Sequence, residues 1–243
     1  MRTDAPGGTT PYFQIVDTST GNDIQHLIDL YDGCIQYTDK YLGSLFQKLE
    51  DLSLLEKTII IFTSDHGEEF YEHGEFGHGN VYVEHLHVPL IVRLPGQHGR
   101  RVEHDVSLID LTPTILELLD ISFRPDGYEF QGHSLFPLID SKDVETEIYS
   151  DVAENDSISL KTEQWRYNEK LNYGNELFEI MSDPGEKKDV VDNYSDVVRT
   201  LQEKVENFRK DNKKYSSLFQ KEVTRKELTQ ETVDQLKALG YVN

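Results

Sequence analysis

The chain has 243 residues, 45 of them acidic against 24 basic, for a net charge of -21 and an apolar content of 37%. That length suits one substantial domain with a small appendage, and a field of that sign argues against nucleic acid or an anionic membrane as a partner. No apolar run approaches the roughly 18 residues that a membrane span needs, the N-terminal MRTDAPGGTTPYFQ lacks the apolar core of a secretory signal, and the single cysteine, Cys34, excludes an internal disulfide framework. The compartment stays unknown on these grounds, cytoplasmic only by default.

Residues 1–20 carry Pro6, Gly7, Gly8 and Pro11 without a regular period and read as loop. From Asp23 to Glu50 the apolar positions Ile24, Leu27, Tyr31, Ile35, Tyr41, Leu42, Leu45 and Leu49 recur mostly at three or four, which predicts one long amphipathic helix with a single apolar face. Cys34 on that helix reads as a packed small apolar residue. The unbroken run Thr58–Thr63 is rich in β-branched residues and predicts a buried parallel strand, since both of its faces must be apolar. Val88–Leu94 reads as a second strand. Between the two lies a glycine- and histidine-rich stretch with no helical period, the kind of loop that holds a site. Asp110 to about Leu119 predicts a helix with Pro113 in its first turn, and Ile148–Val152 a strand. From Ser157 the pattern becomes short alternating runs bounded by turn residues, an antiparallel meander. Tyr194–Phe208 closes the pattern as an amphipathic helix (Val197, Val198, Leu201, Val205, Phe208).

The chemistry concentrates just past the first strand, where Ser64-Asp65-His66-Gly67 follows its carboxyl end, the place where open α/β sheets put their ligands. A carboxylate beside an imidazole is a usable pair for a divalent cation, oxygen-rich for Ca²⁺ or Mg²⁺ and nitrogen-tolerant for Mn²⁺ or Zn²⁺. Asp65 and His66 therefore read as a metal or anion site, against the alternative of a capping Asp and a hydrogen-bonded loop His. Seven of the nine histidines fall between His66 and His104, and this clustering favours the site. His73, His85, His87, His98 and His104 read singly as loop or surface residues, with one of His85 and His87 kept in reserve.

Ser64-Asp65-His66-Gly67-Glu68, Glu72-His73-Gly74, Gly77-His78-Gly79, His87-Val88-Pro89-Leu90 and Leu94-Pro95-Gly96 resemble, in this order, the sulfatase family of the alkaline phosphatase superfamily. Tyr31-Asp32-Gly33, Asp110-Leu111-Thr112-Pro113-Thr114, Trp165-Arg166-Tyr167, Asp183-Pro184-Gly185-Glu186 and the closing Leu239-Gly240-Tyr241 extend the resemblance from about residue 25 to the terminus. It implies an α/β fold with an alkaline-phosphatase-like mixed sheet flanked by helices. Residues 1–150 would be the C-terminal part of the catalytic domain, 151–220 an antiparallel subdomain packed by a helix, and 221–243 a tail. It implies metal-dependent hydrolysis of sulfate esters, on a small molecule or a glycan, with phosphate or phosphonate esters as the alternative. Asp65 and His66 match metal ligands, with Ca²⁺ first and Mn²⁺ or Mg²⁺ as alternatives. His78 matches the position that contacts the oxyanion, hence a catalytic and substrate-binding residue. The family's early Asp pair and its Cys/Ser-x-Pro-x-Arg nucleophile have no match, Cys34 being followed by Ile-Gln-Tyr. The expectation is thus a C-terminal half only, an incomplete enzyme inactive alone. It would be a fragment or remnant, or pair with a separate N-terminal half chain.

Overall fold

The computed structural model describes residues 16–19, 21–122, 129–137, 146–153, 156–171, 173–218 and 230. The protein has the α/β architecture expected, with helices against sheets and a small antiparallel C-terminal sheet covered by a helix. The long helix α1 spans Asn22–Asp51. Strand β1 is Ile60–Thr63, followed by the two-residue strands β2 (Glu69–Phe70) and β3 (Phe76–Gly77), the short helix α2 (Val83–Leu86) and strand β4 (Leu90–Arg93). Helix α3 (Leu111–Leu118) precedes β5 (Ile148–Val152), β6 (Ser157–Lys161), β7 (Trp165–Lys170) and β8 (Gly174–Glu179), and helix α4 (Ser195–Leu218) ends the described chain of elements. The tail expected over 221–243 falls outside the described residues, apart from 230.

The C-terminal sheet shows how alternation in sequence becomes two different faces. Its order is β5-β6-β7-β8, each strand antiparallel to the next. The register places Tyr149, Leu160, Tyr167 and Leu177 side by side as one rung across the four strands. With Ile158 they form an apolar face onto which α4 lays Leu201 and Val205, and Val197, Val198 and Phe208 pack around them. Those α4 positions follow a helical period of three and four, so one stripe of the helix meets one face of the sheet. The alternate residues Ser157, Ser159, Arg166, Asn168 and Lys170 point the other way and are also buried. A sheet face of that polarity needs partners: Lys170 reaches Tyr82, on the segment that carries the candidate site, and Arg166 bonds Ser159 within the sheet and pairs with Glu186.

Two expectations are corrected here. β1 pairs antiparallel with β4, Ile60 opposite Arg93 and Thr63 opposite Leu90, and it is half-buried rather than buried. An unbroken apolar run reports that both faces meet apolar neighbours; it carries no information on the direction of the adjacent strand. The apolar stripe of α1 is real, but none of its residues is buried among the described residues, and Ile35 and Leu45 are more than half exposed. Cys34 shares that exposure, so it is an accessible thiol and not a packed apolar side chain.

Candidate functional site

β1 ends at Thr63, and the chain turns through Ser64–Glu68 into the β2–β3 hairpin. The ladder pairs Glu69 with Gly77 and Phe70 with Phe76. One step further along the same hairpin, Glu68 faces His78, and the His78 Nδ1 lies 3.3 Å from Glu68 Oε2. An ionised carboxylate only accepts, so the imidazole donates through Nδ1 and leaves Nε2 outward. The His66 ring stacks on that of His78 with centroids 4.2 Å apart. His66 Nδ1 donates to the Gly67 carbonyl at 2.8 Å, which fixes the tautomer and frees Nε2 for a cation.

His66, Glu68 and His78 thereby bring one ligand atom each to within 4.8 Å of one another, a group able to hold a metal ion. Asp65 stands at its edge, its Oδ1 4.0 Å from His66 Nε2 while accepting the His66 backbone N–H at 3.0 Å. Its slight burial works against ionisation but is outweighed by backbone N–H groups and by His66, which hold the carboxyl below the usual carboxylate range. The donor set fits a divalent cation: carboxylate oxygens beside imidazole nitrogens that are already oriented by their other ring nitrogen. The cluster opens onto a broad cleft of about 2370 Å³ that Arg100, Arg101 and Lys161 also line.

The support beneath this cluster is polar and buried. Glu69 and His85 are 1% and 4% exposed and meet at 3.0 Å. Burial pushes the Glu69 carboxyl up, but hydrogen bonds from His85 and from the backbone N–H groups of His73 and Glu75 outweigh it and leave the carboxyl below its ordinary value. α2 is tied in turn to the C-terminal sheet. Glu186, 1% exposed, accepts the Val83 N–H at 3.0 Å and pairs with the buried Arg166 of β7. Tyr82 donates to Glu176 at 2.9 Å, and Lys170 bonds both the Tyr82 hydroxyl, at 2.6 Å, and Glu176, at 2.7 Å.

His73 and His85, read from sequence as loop or surface positions, are therefore structural groups, His73 half-buried and His85 buried. His73 lies flat on Tyr82, ring centroids 3.6 Å apart, and bonds Glu84 at 3.1 Å. Glu68 and Glu69 carried no assignment in the sequence, and His85 was kept only in reserve beside His87. A signal was present in the glycines at 74 and 77 between Glu68 and His78, which make a hairpin possible and set those two residues opposite each other. Burial lowers the His73 pKa, with Glu84 opposing and Lys187 assisting. A lowered histidine leaves the folded state less protonated than the unfolded one below the ordinary value of about 6.5. Stability is then complete above that pH and declines as pH falls through the folded value. Urea unfolding at pH 7.5 and 5.5 should show this decline, and His73→Phe, which keeps the ring stack, should reduce it. An equal decline in the variant would assign the acid sensitivity elsewhere.

Two family models together match the chain over residues 5–211. The family model named Sulfatase matches residues 5–121, and that for N-sulphoglucosamine sulphohydrolase, C-terminal, matches residues 71–211. Arylsulfatase K of Gallus gallus is 32% identical over 199 residues, covering 75% of this chain and 37% of that protein. Arylsulfatase K of Mus musculus is 30% identical over 206 residues, covering 76% of this chain and 36% of that protein. The crystal structure of the phosphonate monoester hydrolase of Agrobacterium radiobacter superposes with a TM-score of 0.68 at 26% identity, over 80% of this chain and 43% of that one. The chain thus spans little more than a third of the length of the curated relatives it matches. These matches correct the expectation of a C-terminal half only, a fragment without a nucleophile and incomplete as an enzyme. The Sulfatase model aligns from residue 5 and overlaps the C-terminal model, so both parts of the family pattern are represented, and the exposed Cys34 offers a thiol besides. The early part of the match escaped notice because residues 1–20 carry no periodicity in sequence to read.

Proposed function

Because the chain belongs to the sulfatase family, we propose that it acts in the metal-assisted hydrolysis of sulfate esters, on an aryl ester or a sulfated glycan. The observation that carries this reading is the convergence of His66, Glu68 and His78 at the end of β1. Asp65 and His66 would hold the divalent cation, which when bound polarises a sulfate oxygen. Ca²⁺ is the metal the family resemblance puts first, and the pair of imidazoles suits Mn²⁺. Glu68 accepts one ring N–H of His78 and so aims the other nitrogen at the cleft. With that nitrogen protonated, His78 donates to the sulfate oxyanion and offsets the charge that grows on the departing ester oxygen. No helix among the described residues is long and apolar enough to cross a membrane.

The likeness to a phosphonate monoester hydrolase favours a second reading, in which a phosphonate ester takes the place of the sulfate ester. The two are separated by turnover of 4-nitrophenyl sulfate and a 4-nitrophenyl phosphonate with Ca²⁺, Mg²⁺ or Mn²⁺ in turn. The expected result is metal-dependent release from the sulfate, reduced about 10²- to 10³-fold in His78→Ala, the usual effect of losing one oxyanion donor. Faster release from the phosphonate selects the second reading. Turnover indifferent to metal and to His78→Ala overturns both.

A further inference from the structure

His85 touches the site at two points. Its ring Nε2 lies 3.0 Å from Glu69 Oε2, and its backbone carbonyl accepts the Gly67 N–H at 2.8 Å. Gly67 and Glu69 are the residues on either side of Glu68. One residue of α2 therefore grips the chain just before and just after the carboxylate that faces His78, and it does so from the buried side. Glu69 closes the rest of the hairpin from within, its Oε1 accepting the N–H groups of His73 at 2.8 Å and Glu75 at 3.2 Å. Burying a carboxylate and an imidazole is costly unless they bond each other. A simple hairpin support could have used apolar side chains, so the expense needs a function that apolar packing would not serve. Directional bonds fix distance and rotation, which a metal cluster requires and shape-filling alone does not provide.

We propose that His85 and Glu69 form a positioning clamp that sets the separation of His66, Glu68 and His78. Neither side chain is a ligand; the pair acts through the backbone of residues 67–69. The clamp rests on the roles proposed for that cluster, His66 at the metal and Glu68 aiming His78 at the oxyanion, and it also predicts something independent of metal. Release of either bond lets residues 67–69 drift from α2 and should break the stack of His66 on His78.

The test compares His85→Phe, His85→Gln and Glu69→Gln in the full chain by two measurements. One is the nuclear Overhauser contact between the His66 and His78 rings without metal; the other is Mn²⁺ affinity by calorimetry. His85→Phe keeps volume and removes the donor, whereas His85→Gln places an amide N–H near the position of Nε2. His85→Phe and Glu69→Gln should lose the ring contact and bind Mn²⁺ about tenfold to hundredfold more weakly. His85→Gln should restore both toward wild type, which a role in bulk packing alone would not produce. An intact ring contact in the Phe and Glu69→Gln variants overturns the clamp, as does a Gln variant no better than Phe. If His85→Phe fails to fold, the isosteric Glu69→Gln decides. Should the wild type bind no Mn²⁺ or Ca²⁺, the metal reading fails while the ring contact still settles the clamp.

Discussion

Replacing Glu186 with glutamine should lower the unfolding free energy by about 3–5 kcal/mol, measured by urea titration at pH 7. The magnitude follows from what the substitution leaves behind. Arg166 is 4% exposed, and its guanidinium has Glu186 as its charged partner and the Ser159 hydroxyl, at 3.2 Å, as a neutral one. Glutamine matches the shape of glutamate but not its charge, so an arginine that cannot be deprotonated stays in the interior without a counter-charge. The Val83 N–H that opens α2 also trades an ionic acceptor for a neutral one. A double replacement, Arg166→Met with Glu186→Leu, removes both charges and should recover most of the loss, because apolar substitutes for a buried pair are often neutral or stabilising. A Glu186→Gln protein within about 1 kcal/mol of wild type would mean that water reaches Arg166. The pair would then not join the C-terminal sheet to α2.

The pattern of what could be read from sequence follows from where periodicity exists. α1 was expected over Asp23–Glu50 and is found over Asn22–Asp51, because eight apolar positions mostly at helical spacing leave little choice. β5 falls on Ile148–Val152 as expected, and the meander and its covering helix are likewise explicit in alternation and in the Val197–Phe208 stripe. That helix runs ten residues beyond Phe208 because the lysine-rich stretch that follows can continue a helix without offering an apolar face to detect. β2 and β3 are two residues each, too short to show any period. The least legible feature is the one that builds the site. A buried ion pair such as Glu69–His85 has the same letters as a solvated surface, and only the fold reveals that residues sixteen apart share a pocket. Asp65, His66 and His78 could be named from motif resemblance, but Glu68 enters only through the hairpin register.

Gly67→Ala should cost about 3 kcal/mol of stability and weaken Mn²⁺ binding about tenfold to hundredfold. A Cβ at residue 67 would sit 1.9 Å from the Glu84 carbonyl oxygen, with the His85 Cα 3.5 Å away. Both neighbours are backbone of α2, so no rotamer change relieves the overlap; the loop or the helix must move by more than an ångström. Gly67 is also tied at both ends, its N–H to the His85 carbonyl and its own carbonyl to His66 Nδ1, each at 2.8 Å. Displacing it breaks the bond that selects the His66 tautomer and turns Nε2 away from Glu68 and His78. Gly132→Ala supplies the comparison, since its Cβ would lie 2.3 Å from the Ile109 carbonyl oxygen, beside α3 and without any bond to the cluster. Both alanines should destabilise the protein, and only the one at 67 should also weaken the metal. Equal Mn²⁺ affinity in the two variants, measured where both are folded, would show that the cluster tolerates movement of the loop. Its geometry would then not depend on the contact between Gly67 and α2.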